Sequence, residues 1–145
     1  YLVQSLIKQI IINMNNNEIR VLIAKPGLDG HDRGAKVITR YLSEQNIKTK
    51  FSGIRKTPEQ ITELASKMDA NIIGISILSG AHLELVAELV DCLYKKEMDH
   101  VKILVGGIIP ESDKEALSSL GVKGVFGPGT SLEEIETSIR NAYNE

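Results

Sequence analysis

One histidine with a carboxylate close by in sequence is the clearest chemical feature of this chain. The segment Lys25-Pro26-Gly27-Leu28-Asp29-Gly30-His31-Asp32-Arg33-Gly34 sets Asp29 two residues before His31 and Lys25 four before Asp29. When a carboxylate holds one ring nitrogen of an imidazole, the tautomer is fixed and the other nitrogen becomes more basic, which suits a metal ligand or a general base. In that reading Asp29 holds His31, and Lys25 acts on the carboxylate in turn. The same residues also suit a solvated histidine in a turn whose Asp side chains cap a glycine-rich backbone.

Three further loops carry small or hydroxyl residues. Ser76-Ile77-Leu78-Ser79-Gly80-Ala81-His82 would let a ligand approach the backbone, with Ser76 offering a hydrogen bond, or would simply cap the next helix near Ser79 and Gly80. His82 reads as a surface or partner contact and His100 as solvated. Gly106-Gly107 and Gly127-Pro128-Gly129-Thr130 each close an apolar run. Glycines there mark close approach of backbone or ligand, or ordinary turn chemistry. No GxGxxG follows the first apolar run, and neither GxxxxGK[ST] nor GxSxG occurs. A dinucleotide, a nucleoside triphosphate and a serine-nucleophile elbow are therefore not favoured.

These loops need a scaffold, and from Ile19 onward the chain repeats one unit five times: apolar run, turn-rich loop, helical segment. The runs are Ile19 to Ala24, Thr49 to Ile54, Asn71 to Ile77, Lys102 to Val105 and Gly124 to Phe126. Stretches such as Val21-Leu22-Ile23 are apolar on both faces, as strands of a helix-covered parallel sheet must be. The pattern predicts an α/β fold with a five-stranded, parallel, doubly wound sheet, whose ligand site lies beyond the carboxyl ends of the strands. Thr57-Pro58-Glu59-Gln60, Ser112-Asp113-Lys114-Glu115 and Ser131-Leu132-Glu133-Glu134 each read as a helix start with an N-cap hydroxyl and an acceptor at the third helical position. The helix from about Ala81 to Lys96 carries Leu83, Val86, Val90 and Leu93 on one stripe, and Cys92 beside it reads as a small core hydrophobe.

The composition narrows the partners. The chain has 145 residues, 42% hydrophobic and 25% charged, with 17 basic against 19 acidic side chains, which fits one globular domain. A net charge of -2 without a basic run argues against nucleic acid and anionic membranes. One cysteine can form neither an internal disulfide nor a zinc cluster, and a reducing cytoplasm is the expected compartment. Residues 1–17 are expected to be an extension outside the core fold, with 18–145 the domain. The apolar residues Leu2, Val3, Leu6, Ile7 and Ile10 fall at helical spacing and would suit an amphipathic helix packed on the domain or on a partner. The apolar stretch is too short for a membrane span, and the polar run from Met14 reads as a natural start.

Taken together, Asp29-x-His31-x-x-Gly34, Ser76-x-Leu78 and Gly106-Gly107 resemble the DxHxxG, SxL and GG signature of the cobalamin-binding domain. The flanking residues Lys25 to Val37, Arg55 with Thr57 to Gln60, Gly74 to His82 and Gly106 to Pro110 resemble the cobalamin-binding part of methylmalonyl-CoA mutase, over about Ile19 to the C-terminus. The resemblance implies a flavodoxin-like fold and adenosylcobalamin held base-off and His-on. His31 would be the lower axial ligand of cobalt, the metal, and Lys25, Asp29 and His31 the catalytic relay. Gly30, Asp32, Arg33, Gly34, Ser76, Leu78, Gly80, Gly106, Gly107, Gly127, Gly129 and Thr130 would bind the cofactor, whose displaced nucleotide tail would enter a slot beside the sheet. The implied protein is the small subunit of an isomerase, interconverting (R)-methylmalonyl-CoA and succinyl-CoA with a separate acyl-CoA-binding barrel subunit that takes about 250 residues to build. The alternatives are the small subunit of a mutase for 2-hydroxyisobutyryl-, isobutyryl- or ethylmalonyl-CoA, or a non-catalytic corrinoid carrier or sensor.

Overall fold

A computed structural model describes residues 2–16 and 18–145. Five strands, β1 (Arg20–Ala24), β2 (Lys48–Phe51), β3 (Ile72–Ile77), β4 (Lys102–Gly107) and β5 (Val122–Phe126), form one parallel sheet in the order β2-β1-β3-β4-β5. Helices α2 (Arg33–Glu44), α3 (Pro58–Met68), α4 (His82–Lys95), α5 (Glu111–Ser119) and α6 (Leu132–Asn144) connect the strands or follow the last one. The expected α/β, five-stranded doubly wound fold is therefore observed.

Side chains alternate across the sheet, and so the two faces have separate cores. Leu22, Ile73, Ile75 and Ile103 meet Ile61 of α3, Leu89 of α4 and Leu117 of α5 on one face. Val21, Ile23, Ile72 and Leu104 meet Ala35 and Leu42 of α2 and Ile139 of α6 on the other. The order of the strands reverses between β1 and β3, and their carboxyl ends there form the crevice in which such sheets bind ligands.

Local chemistry sets the boundaries. Thr57 closes a full capping box with Gln60, and the Ser131 hydroxyl accepts from the Glu134 N–H, as the spacing predicts. The Ser112 start is corrected: α5 begins at Glu111 behind Pro110, with no side-chain cap. Pro110 takes the N-cap position with extended backbone, ψ 143°, and the Asp113 carboxylate is engaged by His82. Strand β2 stops at Phe51, short of the expected Ile54, because Gly53 and Arg55 turn the backbone into the left-handed region. Cys92 is only partly buried; the buried stripe of α4 is His82, Val86, Leu89 and Leu93. Burial still pushes the Cys92 thiol pKa up, which disfavours a thiolate.

An N-terminal helix α1 (Leu2–Asn16) forms as expected, yet Leu2, Val3, Leu6, Ile7 and Ile10 are exposed, so these side chains do not pack on the domain. The reading of the polar run from Met14 concerns side chains outside the described residues. No helix among the described residues is long and apolar enough to cross a membrane.

Candidate functional site

The loop after β1 is built around a buried carboxylate. Lys25, the first residue after β1, has none of its surface exposed, and Asp29 is 4% exposed. The Lys25 ammonium donates to Asp29 Oδ2 at 2.8 Å, to the Ser76 carbonyl at 3.0 Å and to Ser76 Oγ at 3.3 Å. Asp29 Oδ2 also accepts the Leu78 N–H at 2.8 Å, while Oδ1 accepts the His31 N–H at 2.9 Å and lies 2.9 Å from His31 Nδ1. Burial alone would raise the Asp29 pKa. The Lys25 ammonium, the His31 and Leu78 N–H groups and the His31 ring outweigh it and hold the carboxyl well below its usual range.

An ionised Asp29 accepts from Nδ1–H, which leaves the Nε2 lone pair of His31 free. The His31 side chain is 80% exposed, so a buried group anchors an outward-facing ring. The expected arrangement of Lys25, Asp29 and His31 is thus assembled in space, and Ser76 and Leu78 join it from the loop after β3.

Beside His31 a cleft of about 310 Å³ runs between the sheet and the α2–α6 layer. Its origin lies in the strand register. Ile23, Gly74 and Leu104 are aligned across β1, β3 and β4, and Ser76, Gly106 and Phe126 across β3, β4 and β5. Ser76 and Gly106 leave room in the cleft, whereas Gly74 makes way for Ile23, whose Cδ1 would lie 2.9 Å from a Cβ there. Ile38 of α2 and Ile135 and Ile139 of α6 make the opposite wall. A Cβ on Gly34 or Gly127 would meet no atom within 4 Å, and one on Gly106 would touch neighbouring carbonyls only at 3.9–4.0 Å. Those positions are open toward the cleft.

Gly107 is glycine for another reason: at φ 154° a Cβ would lie 1.9 Å from the Ile77 carbonyl oxygen. Backbone approach of β4 to β3, rather than ligand clearance, requires it.

His31, Gly34, Ser76, Leu78, Gly106, Gly107, Gly127, Gly129 and Thr130 all line the cleft. Lys25 and Asp29 lie buried in support. Gly30, Asp32, Arg33 and Gly80 do not line it: Asp32 pairs with Lys36 at 2.8 Å, Arg33 opens α2, and Gly80 turns the chain at φ 84°. His82 is not a surface residue. It is 3% exposed, its Nε2 lies 2.8 Å from Asp113 Oδ2, and its Nδ1 has no hydrogen-bond partner among the described residues. His100 is exposed, as expected. Sequence reasoning missed Ile23, Ile38, Gly74, Leu104, Phe126 and Ile139 as lining residues; of these only Gly74, a glycine inside an apolar strand, carried a signal.

Fold and site define a doubly wound α/β domain that presents one imidazole on its carboxyl edge beside an apolar slot. The chain belongs to the B12 binding domain family, whose model matches residues 19–136. It is 38% identical to the pivalyl-CoA mutase small subunit of Xanthobacter autotrophicus, over 86% of this chain and 84% of that protein. It is 37% identical to the 2-hydroxyisobutanoyl-CoA mutase small subunit of Aquincola tertiaricarbonis, over 88% and 94%. It is also 39% identical to the methylmalonyl-CoA mutase of Escherichia coli, over 90% of this chain but 18% of that longer protein. A cobalamin-binding protein from Desulfitobacterium hafniense shares the fold, with a TM-score of 0.71 at 17% identity, over 86% of this chain and 59% of that one. The family expected from the three motifs is the family observed.

Proposed function

We propose that the chain is the cobalamin-binding subunit of an adenosylcobalamin-dependent acyl-CoA mutase that works with a separate barrel subunit, and that its reaction interconverts (R)-methylmalonyl-CoA and succinyl-CoA. Family membership, and the match to two small subunits along most of their length, support the division of labour. The observation that carries the site is the exposed His31 ring whose Nδ1 is held by a buried carboxylate.

The residues present suit a base-off, His-on corrinoid. His31 Nε2 would be the donor to cobalt. Asp29 selects the tautomer that leaves the Nε2 lone pair free, and Lys25 keeps Asp29 ionised. Ser76 and Gly106, paired across β3 and β4, leave space for a displaced nucleotide tail, and Gly34, Gly127, Gly129 and Thr130 frame its mouth. When bound, adenosylcobalamin supplies an organic radical by homolysis of its cobalt–carbon bond. The chain itself would hold the cofactor through the His31 nitrogen and orient it along the slot. Binding of the acyl-CoA falls to the partner.

A second reading has the same subunit serving another acyl group, since the pivalyl- and 2-hydroxyisobutanoyl-CoA mutase small subunits match at 38% and 37% identity beside 39% for methylmalonyl-CoA mutase. A free-standing corrinoid carrier is the remaining alternative, and the cytoplasm is the proposed compartment. The test of the site is electron paramagnetic resonance of the protein loaded with cob(II)alamin: coupling to one histidine nitrogen is expected, and its loss in His31→Ala. Identical spectra for parent and variant would remove His31 as the ligand. Reconstitution with candidate large subunits on methylmalonyl-CoA and the other acyl-CoAs then assigns the reaction, and turnover by this chain alone would refute the two-subunit scheme.

A further inference from the structure

Four residues other than glycine have positive φ among the described residues: Asn46, Arg55, Asp69 and Glu97. Three need no further reason. Asn46, Asp69 and Glu97 lie at the C-terminal ends of α2, α3 and α4, where a left-handed residue ends a helix. Arg55, at φ 55°, follows a strand. It lies in the connection from β2 to α3, and the chain returns directly after it to the His31 loop, through Lys56 N–H to the Lys25 carbonyl at 3.0 Å and Gly27 N–H to the Lys56 carbonyl at 3.0 Å. Glycine would adopt this turn without the steric cost that any Cβ brings.

The side chain has an unusual berth. A Cβ on Gly30 would lie 2.8 Å from Arg55 Nη2 and 3.4 Å from its Cζ, so the guanidinium fills the space that a side chain at position 30 would take, one residue before His31. Arg55 is exposed, and among the described residues it has no ion pair and no side-chain hydrogen bond. A planar donor array with five N–H groups thus lies against Gly30, one residue from the proposed cobalt ligand in sequence, with no acceptor of its own among the described residues. The corrin ring carries amide side chains around its rim, and their carbonyl oxygens are acceptors of the matching kind.

We propose that Arg55 is a cofactor-binding residue that donates to a peripheral amide carbonyl of the corrin, with Gly30 retained to let the guanidinium lie beside His31. The inference rests on the reading of His31 as the cobalt ligand. Hydrogen bonds from a charged donor are among the stronger ones.

The test is titration of the purified subunit with cob(II)alamin, followed by calorimetry and by electron paramagnetic resonance. Arg55→Gly relieves the strained backbone and should keep the melting temperature within a few degrees of the parent, while cobalamin affinity falls about tenfold or more and the histidine coupling persists. Gly30→Ala should displace the guanidinium and weaken binding in the parent, yet add little in the Arg55→Gly background. Parent-like affinity in Arg55→Gly would overturn the proposal, whether or not association with the large subunit is lost; its loss would reassign Arg55 to a protein carboxylate. Equal cost of Gly30→Ala in both backgrounds would also overturn it. Loss of nitrogen coupling in His31→Ala with parent-like Arg55→Gly affinity sinks only the Arg55 role, whereas unchanged spectra in His31→Ala sink the axial reading beneath it.

Discussion

Asp29→Ala is the perturbation that bears most directly on how the site is held. The carboxylate accepts from Lys25 Nζ, the Leu78 N–H, the His31 N–H and the His31 ring, all within 2.9 Å. Alanine leaves the Lys25 ammonium, which has no exposed surface, beside the neutral Ser76 acceptors alone, and it also strands the Leu78 donor. Breaking a buried ion pair by removing one partner costs about 3 to 5 kcal/mol, which for a domain of this size lowers the melting temperature on the order of 10 °C. Lys25→Met should cost less, because Asp29 keeps its N–H donors, and the Lys25→Met/Asp29→Ala double variant should cost less than the sum. Urea unfolding of the cofactor-free protein measures all three. A loss below about 1 kcal/mol in Asp29→Ala, or strict additivity in the double variant, would refute the claim that this pair organises the rim.

Because the Asp29 carboxyl is held below its ordinary value of 3.8, its stabilising contribution is complete above that pH and is lost as pH falls from there toward the folded pKa; an acid unfolding curve of Asp29→Asn, flatter than the parent's below pH 4, is expected. Gly107→Ala should destabilise by about 3 kcal/mol or more through collision with the Ile77 carbonyl, whereas Gly34→Ala should leave the melting temperature unchanged or raised and weaken only cobalamin binding. The Tyr41 phenol, which donates to Glu136 Oε1 at 2.8 Å between α2 and α6, has its pKa pushed up to about 12 by that hydrogen bond. Its contribution is full below the ordinary value of 10.0 and is lost as pH rises through the folded value. Ultraviolet titration should show one late-ionising tyrosine that is missing in Tyr41→Phe.

Much of this was readable from residue order. Apolar runs such as Val21-Leu22-Ile23 could only be buried strands, and Thr57 and Ser131 marked their helices because capping is a local interaction. Ser112 misled because the helix starts one residue before it, at Glu111, behind an N-cap proline that offers no side-chain acceptor. The Asp29–His31 contact was legible, since two residues apart leaves few geometries. The slot was not. Ile23 and Leu104, in apolar runs, read as core because periodicity reports burial without saying what fills the space opposite; the gap depends on β3 and β4 setting Ser76 beside Gly106. His82 escaped for a similar reason, since its partner Asp113 lies 31 residues away.

The double acceptance at Asp29 Oδ2, from Lys25 and from Leu78, stitches the loop after β1 to the loop after β3 before any ligand arrives. These loops form one side of the entrance to the slot, facing the turn from Gly127 to Thr130, so the placement of that side is a property of the protein by itself. An incoming molecule need not spend binding energy on ordering this wall.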